Sequence, residues 1–149
     1  MKRRMLMAIL VCLTVAVVSD VAQAAVNGYI KIGDIKGEAN DQDHKDWIII
    51  ESMSSPIYRT SGMPAQGKAG AGRFSVKHAA NVNVSPALLR LILSKRTWDV
   101  PVDIMEGGQP VHFVFTGCRV AAYSLKLASS DSHDLEDVSF TYQAVEWTK

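Results

Sequence analysis

From Phe74 to Val84 every even-numbered position except His78 carries an apolar side chain: Phe74, Val76, Ala80, Val82 and Val84. The odd positions hold Ser75, Lys77, Ala79, Asn81 and Asn83. A period of two sustained that long predicts a strand over Phe74–Val84 with one buried face. Shorter stretches repeat the pattern. Tyr29-Ile30-Lys31-Ile32 alternates, and Trp47–Met53 encloses Ile48-Ile49-Ile50. Trp98–Glu106 places Val100, Val102 and Ile104 on one side. Gly107-Gly108 then offers a tight turn into Val111, Phe113 and Phe115, the signature of a hairpin. Val120–Leu127 and Glu136–Trp147 read as two further strands, the last with Val138, Phe140 and Tyr142 on one face. One segment breaks the period. Ser85-Pro86 opens Ala-Leu-Leu-Arg-Leu-Ile-Leu-Ser-Lys-Arg, with Ser85 as N-cap, Pro86 at the first helical position and Lys95 and Arg96 near the end. Leu88, Leu91 and Ile92 share the face expected to pack on the sheets. About seven strands and one short helix predict a mainly β fold, a small β-barrel or sandwich.

The N-terminus follows a different logic. Lys2, Arg3 and Arg4 precede the uncharged apolar run Leu6–Val18, and Ala22-Gln23-Ala24 ends it in a small-x-small pattern. That order of features is a secretory signal peptide over residues 1–24. The run has 13 residues, short of the ~20 that a membrane span needs. Cleavage before Ala25 would leave one β domain over residues 25–149. Losing Lys2, Arg3, Arg4 and Asp20 leaves 13 Lys+Arg against 14 Asp+Glu, a net charge of −1. Such a chain lacks the long-range positive field of a nucleic-acid binder. No second long apolar run follows, so the mature form is expected to be soluble, outside any membrane, and periplasmic or extracellular.

Of the two cysteines, Cys12 lies inside the apolar run and would leave with it. Cys118 then has no disulfide partner despite the oxidising compartment, and reads as a small buried hydrophobe in a strand. The Gly-rich stretch Thr60–Gly72, with Gly62, Pro64, Gly67, Gly70 and Gly72, has little apolar surface to order it. It reads as a long mobile loop between strands.

The densest polar cluster is Asp34, Glu38, Asn40, Asp41, Asp43, His44 and Asp46. Asp41-Gln42-Asp43 begins as a calcium loop does, but the glycine at the sharp turn and the closing bidentate Glu are missing. A solvated acidic loop is therefore expected, without a metal. His112 and His133 belong to no nucleophile motif, and His78 reads as a satisfied interior histidine. No phosphate-binding loop, dinucleotide fingerprint, nucleophile elbow or zinc-protease motif is present. The expectation is a non-enzymatic protein without catalytic, cofactor or metal residues.

Tyr29-Ile30-Lys31-Ile32-Gly33-Asp34-Ile35-Lys36-Gly37-Glu38, followed by Asp43-His44-Lys45 and an aliphatic strand, resembles the opening of the haemolysin-coregulated proteins (Hcp). The similarity continues in order through the Gly-rich stretch ending near Gly72, Ser85-Pro86 with Leu88-Leu89, Gly107-Gly108, Val120–Ser124 and Glu136–Trp147. It covers nearly all of the chain after residue 24. The resemblance implies an Hcp-like, phage tail-tube-like β-barrel of two packed sheets with a helix on its side. It implies hexameric rings stacking into the tube of a type VI secretion system, capped by the valine-glycine repeat spike protein, with secreted effectors in the lumen. It also implies that Thr60–Gly72 is the extended loop reaching toward a neighbouring ring. Two features depart from the family. Asn81–Val84 reads Asn-Val-Asn-Val where an Asp-Lys pair usually precedes Ser-Pro, and tube subunits normally carry no leader. An exported stand-alone barrel, binding a partner through the Gly-rich stretch or the Asp41–Asp46 loop, is the alternative.

Overall fold

The computed structural model describes residues 28–57, 64–106, 108–128 and 133–149. The expected signal peptide at residues 1–24, together with Thr60–Met63 of the expected loop and Gly107 of the expected turn, lies outside the described residues. The elements in chain order are β1 (Gly28–Ile30), β2 (Ile48–Ile50), β3 (Ser52–Ser54), β4 (Gln66–Ala69), β5 (Gly72–Ala79), α1 (Ser85–Ile92), β6 (Trp98–Glu106), β7 (Gln109–Lys126), β8 (Leu135–Tyr142) and β9 (Ala144–Thr148). They form a small β-barrel of two packed antiparallel sheets. One runs β2-β1-β6-β7-β9-β4 and the other β7-β8-β5-β3.

Three long bent strands join the sheets. β7 has 18 residues; its first part lies between β6 and β9, and its second part pairs with β8. Opposite it, β8 and β9 run on from one sheet to the other through Gln143, whose N–H donates to the Thr116 carbonyl at 2.9 Å. Gly117 turns the corner with φ +64°, and a Cβ there would stand 2.8 Å from Gln143 Cδ. The left-handed backbone favours glycine, whereas the Gln143 side chain could swing away from a Cβ. β4 and β5 are the third bent strand. Their ladder against β9 and β8 keeps one register, from Gln66 opposite Thr148 to Ala79 opposite Leu135.

The alternation seen in the sequence fills the interior. Val100, Val102, Val111, Phe113, Phe115, Val138 and Val145 are fully buried. An aromatic stack ties the two sheets: Phe74 lies 4.0 Å from Phe115 and 4.9 Å from Phe140, centroid to centroid, and Phe115 meets Tyr142 edge-on. Offset aromatic contacts of this kind add to the stabilisation from buried area.

Several expectations are corrected. The strand beginning at Gly72 ends at Ala79, not Val84. Asn81 Oδ1 accepts the Asn83 N–H at 2.8 Å, and the Asn81 N–H donates to Ser85 Oγ at 3.1 Å. These local bonds divert the backbone from the sheet ladder into a turn, which throws Val82 out to 87% exposure. Ser85 is therefore not the N-cap: Val84 holds that position, and Pro86 still sits in the first turn. The helix ends at Ile92, so Lys95 and Arg96 lie beyond it. Only Leu88 of its apolar residues is fully buried; Leu91 is half-buried and Ile92 is exposed. Trp47–Met53 is split at Glu51 into β2 and β3, one in each sheet. Val120–Leu127 is the second part of β7, not a separate strand, and Glu136–Trp147 divides at Gln143. The Gly-rich stretch is not all loop, since Gln66–Ala69 is β4. Gly67 lets its backbone lie against the indole of Trp147, where a Cβ would come 2.1 Å from Cζ2.

Candidate functional site

The hairpin of β6 and β7 sets Glu106 opposite Gln109, and this register puts Asp103 beside His112. On the other side of Asp103 stands Tyr29 of β1. Because Val100, Val102 and Ile104 point inward, Tyr29, Asp103 and His112 form a row across the outer face of the sheet. Asp103 is nevertheless only 7% exposed. The segment between β1 and β2 folds down over it.

That segment is held by its own backbone. Gly37 donates to Asp46 O at 2.9 Å, Ala39 to Trp47 O at 3.0 Å, and Asp46 to Ala39 O at 2.9 Å. Lys31 Nζ reaches the carbonyls of Ile35 at 3.1 Å and Asp46 at 3.2 Å. Asp41 Oδ1 accepts the N–H groups of Asp43 and His44, an Asx turn that aims the His44 ring at the sheet. The ring stacks on Tyr29 with centroids 4.1 Å apart and meets Trp47 edge-on.

His44 is bonded at both nitrogens. Nδ1 faces Asp41 Oδ1 at 3.0 Å and Nε2 faces Asp103 Oδ2 at 2.6 Å. The second oxygen of Asp103 takes Nδ1 of His112 at 2.7 Å. Burial works to lower the His44 pKa, but the bonds to Asp103 and Asp41 and their charges outweigh it and hold the pKa above its ordinary value. In its protonated form the ring donates to a carboxylate from each nitrogen. It fastens the loop to the sheet and is not placed to act as a base. His112 is half-exposed, yet no Ser, Thr or Cys side chain hydrogen-bonds to either ring among the described residues.

The other residues singled out in the sequence are placed as follows. Cys118 is fully buried in β7, its Sγ 3.3 Å from the Phe115 carbonyl. Burial and the Asp99 charge push its thiol up to about 12, which leaves essentially no thiolate. His78 is 1% exposed, bonds the Ala79 carbonyl through Nδ1 at 2.9 Å, and sets Nε2 3.1 Å from Oε2 of the buried Glu136. The Tyr123 hydroxyl donates to the other oxygen of Glu136; burial first, then this carboxylate, raises the tyrosine to about 12. His133 pairs with Glu51 on the surface. Glu38 accepts the Ile49 N–H at 3.2 Å, and Asp34 faces a groove beside α1. Among the described residues no three His, Cys, Asp or Glu are grouped to hold a metal. The His44–Asp103–His112 chain escaped the sequence reading, although the Gly107-Gly108 turn already sets Asp103 opposite His112.

Large apolar side chains also reach solvent around the helix. Val82 and Leu93 are each 87% exposed, and Leu89 and Ile92 accompany them. All four belong to the short stretch from Val82 to Leu93 that contains α1.

The family model described as "Type VI secretion system effector, Hcp" matches residues 29–148. The chain belongs to the Hcp family. A comparison with curated sequences finds no match. Solved structures share the fold. A type six secretion system protein aligns with TM-score 0.65 and 23% identity over 83% of each chain. Hcp1 from Salmonella typhimurium gives 0.64 and 23% over 81% of this chain and 83% of that one. A type VI secretion system effector from Yersinia pestis gives 0.60 and 21% over 78% and 84%. The chain is thus a type VI secretion system protein by family and an Hcp-like barrel by fold.

Proposed function

We propose that this protein is a structural, non-enzymatic subunit of a type VI secretion tube. Six copies close into a ring, and the rings stack, with the valine-glycine repeat spike protein and secreted effectors as further partners. The family match over residues 29–148 carries the reading. The apolar surface of Val82, Leu89, Ile92 and Leu93 supports it, because a ring needs a face to be covered by a neighbour. So does the commitment of His44 and Cys118 to packing, which leaves neither as a nucleophile or base. Light scattering on the chain beginning at Ala25 should give six times the monomer mass. A strict monomer at high concentration would refute the ring.

The leader favours a second reading, in which the barrel is exported and acts as a binding module in the periplasm or outside the cell. The two readings share the fold and differ in assembly. Intact mass of the protein recovered from the periplasm should correspond to Ala25–Lys149; a mass retaining residues 1–24 would contradict export by cleavage.

A further inference from the structure

Between α1 and the turn that follows β1 lies an open groove of about 540 Å³. Its rim carries Lys36 from the turn, Arg90 from the last turn of the helix, and Arg96 from the segment leading to β6. All three are exposed, and among the described residues none has an ion-pair partner. Asp34 is the lone acid in the lining, so the groove is positive in a mature chain of net charge −1. Its floor is of a different character, since Leu91 and Trp98 are half-buried, pack on the core and still line the cavity. Concave walls of low dielectric concentrate the field of such cations at the opening.

We propose that this groove binds an acidic peptide segment of a partner protein. Carboxylates would lie on Lys36, Arg90 and Arg96, and one apolar side chain between them would rest against Leu91 and Trp98. Charge complementarity selects the acidic groups. Guanidinium pairs take carboxylates in a planar, two-pronged geometry, which favours Arg90 and Arg96 as the orienting contacts. The apolar floor selects a side chain that an inorganic anion lacks. The groove's volume falls within the usual range for ligand clefts, enough for one or two side chains of a longer segment. A nucleic-acid strand would need a longer basic track than three side chains around one concavity. The groove shares α1 with the exposed Leu89 and Ile92 proposed for ring contact, but binding there does not itself require a ring.

The test is fluorescence anisotropy of a labelled synthetic peptide, Glu-Asp-Leu-Phe-Glu-Asp, titrated with the protein at low salt. Saturable binding is expected, weakened by about tenfold or more in the Arg90→Glu/Arg96→Glu double variant. Binding should be unchanged in Lys126→Glu, which removes a cation outside the groove. A peptide with Lys in place of each acid should not bind, and one with Gly in place of Leu-Phe should bind more weakly. Lys36→Glu, on an exposed turn, provides the same reading if the double variant does not fold. No saturable binding overturns the proposal, as does equal loss in Lys126→Glu. Equal binding of the Gly-containing peptide, or tighter binding of a single-stranded oligonucleotide, overturns it also.

Discussion

Replacing Gly67 with alanine separates two accounts of the Gly-rich stretch by the sign of the effect. If residues 60–72 formed a mobile loop, a methyl group at position 67 would only narrow the unfolded ensemble and raise stability by ~0.4–1 kcal/mol. In the structure Gly67 sits in β4 opposite Trp147, and the added Cβ would stand 2.1 Å from Cζ2, 2.6 Å from Cε2 and 2.7 Å from Cη2. Ordinary carbon–carbon contact lies at ~3.5–4.0 Å, so the indole or the strand must shift by more than an ångström. Overpacking of this kind costs ~1–3 kcal/mol, and the backbone gain offsets part of it. The expected net loss is about 1–2 kcal/mol, a fall in Tm of roughly 3–10 °C for a domain of this size. Gly70 is the matched control: a Cβ there meets nothing within 4 Å, so Gly70→Ala should leave Tm unchanged or slightly raised. Thermal unfolding followed by far-ultraviolet circular dichroism reads both. In a Trp147→Ala background the cost of Gly67→Ala should vanish, as a double-mutant cycle requires when one contact carries the effect. A Tm raised by Gly67→Ala in the wild-type background would refute the pairing of β4 with β9.

The His44 latch makes stability depend on pH. Its folded pKa lies above the ordinary 6.5, so its contribution is fully present below pH 6.5 and is lost as pH rises through the folded value. The stability gap between wild type and His44→Gln, measured by urea unfolding, should therefore be larger at about pH 6 than at about pH 9; a gap that widens with pH would contradict the assignment. Asp41 acts in a lower window, its folded pKa being depressed below 3.8, and does not reverse that trend. On α1, Leu88→Ala should cost ~2–5 kcal/mol because its side chain is fully enclosed, whereas Ile92→Ala, at 39% exposure, should cost about 1 kcal/mol. Equal losses would mean that the helix packs on the other face.

Much of the fold was legible because one physical signal ran through it. The alternation of Phe74, Val76 and His78, of Val100, Val102 and Ile104, and of Val138, Phe140 and Tyr142 reports which face of each strand is buried. What escaped the sequence depends on partners distant in the chain. Gln66–Ala69 has no apolar face of its own and becomes a strand because Trp147 lies across Gly67 and β9 supplies the ladder. The strand after Gly72 stops early because Asn81 and Ser85 offer local hydrogen bonds that compete with the sheet, a competition the alternating Val82 and Val84 conceal. At the corner, β7 runs on through Gly117 as one strand where the sequence reads two, while Gln143 divides what reads as one. The His44–Asp103 contact spans 59 residues, and no local pattern announces it, although Asp103 and His112 face each other by hairpin register alone.

The family assignment rests on matched sequence and shared fold, and the proposed tube adds assembly to them. Negative-stain images of the purified chain from Ala25 onward test this most directly. Class averages should show six-fold rings around an open centre. Single particles without rotational symmetry at high protein concentration would contradict the account and leave the barrel as a stand-alone binding module.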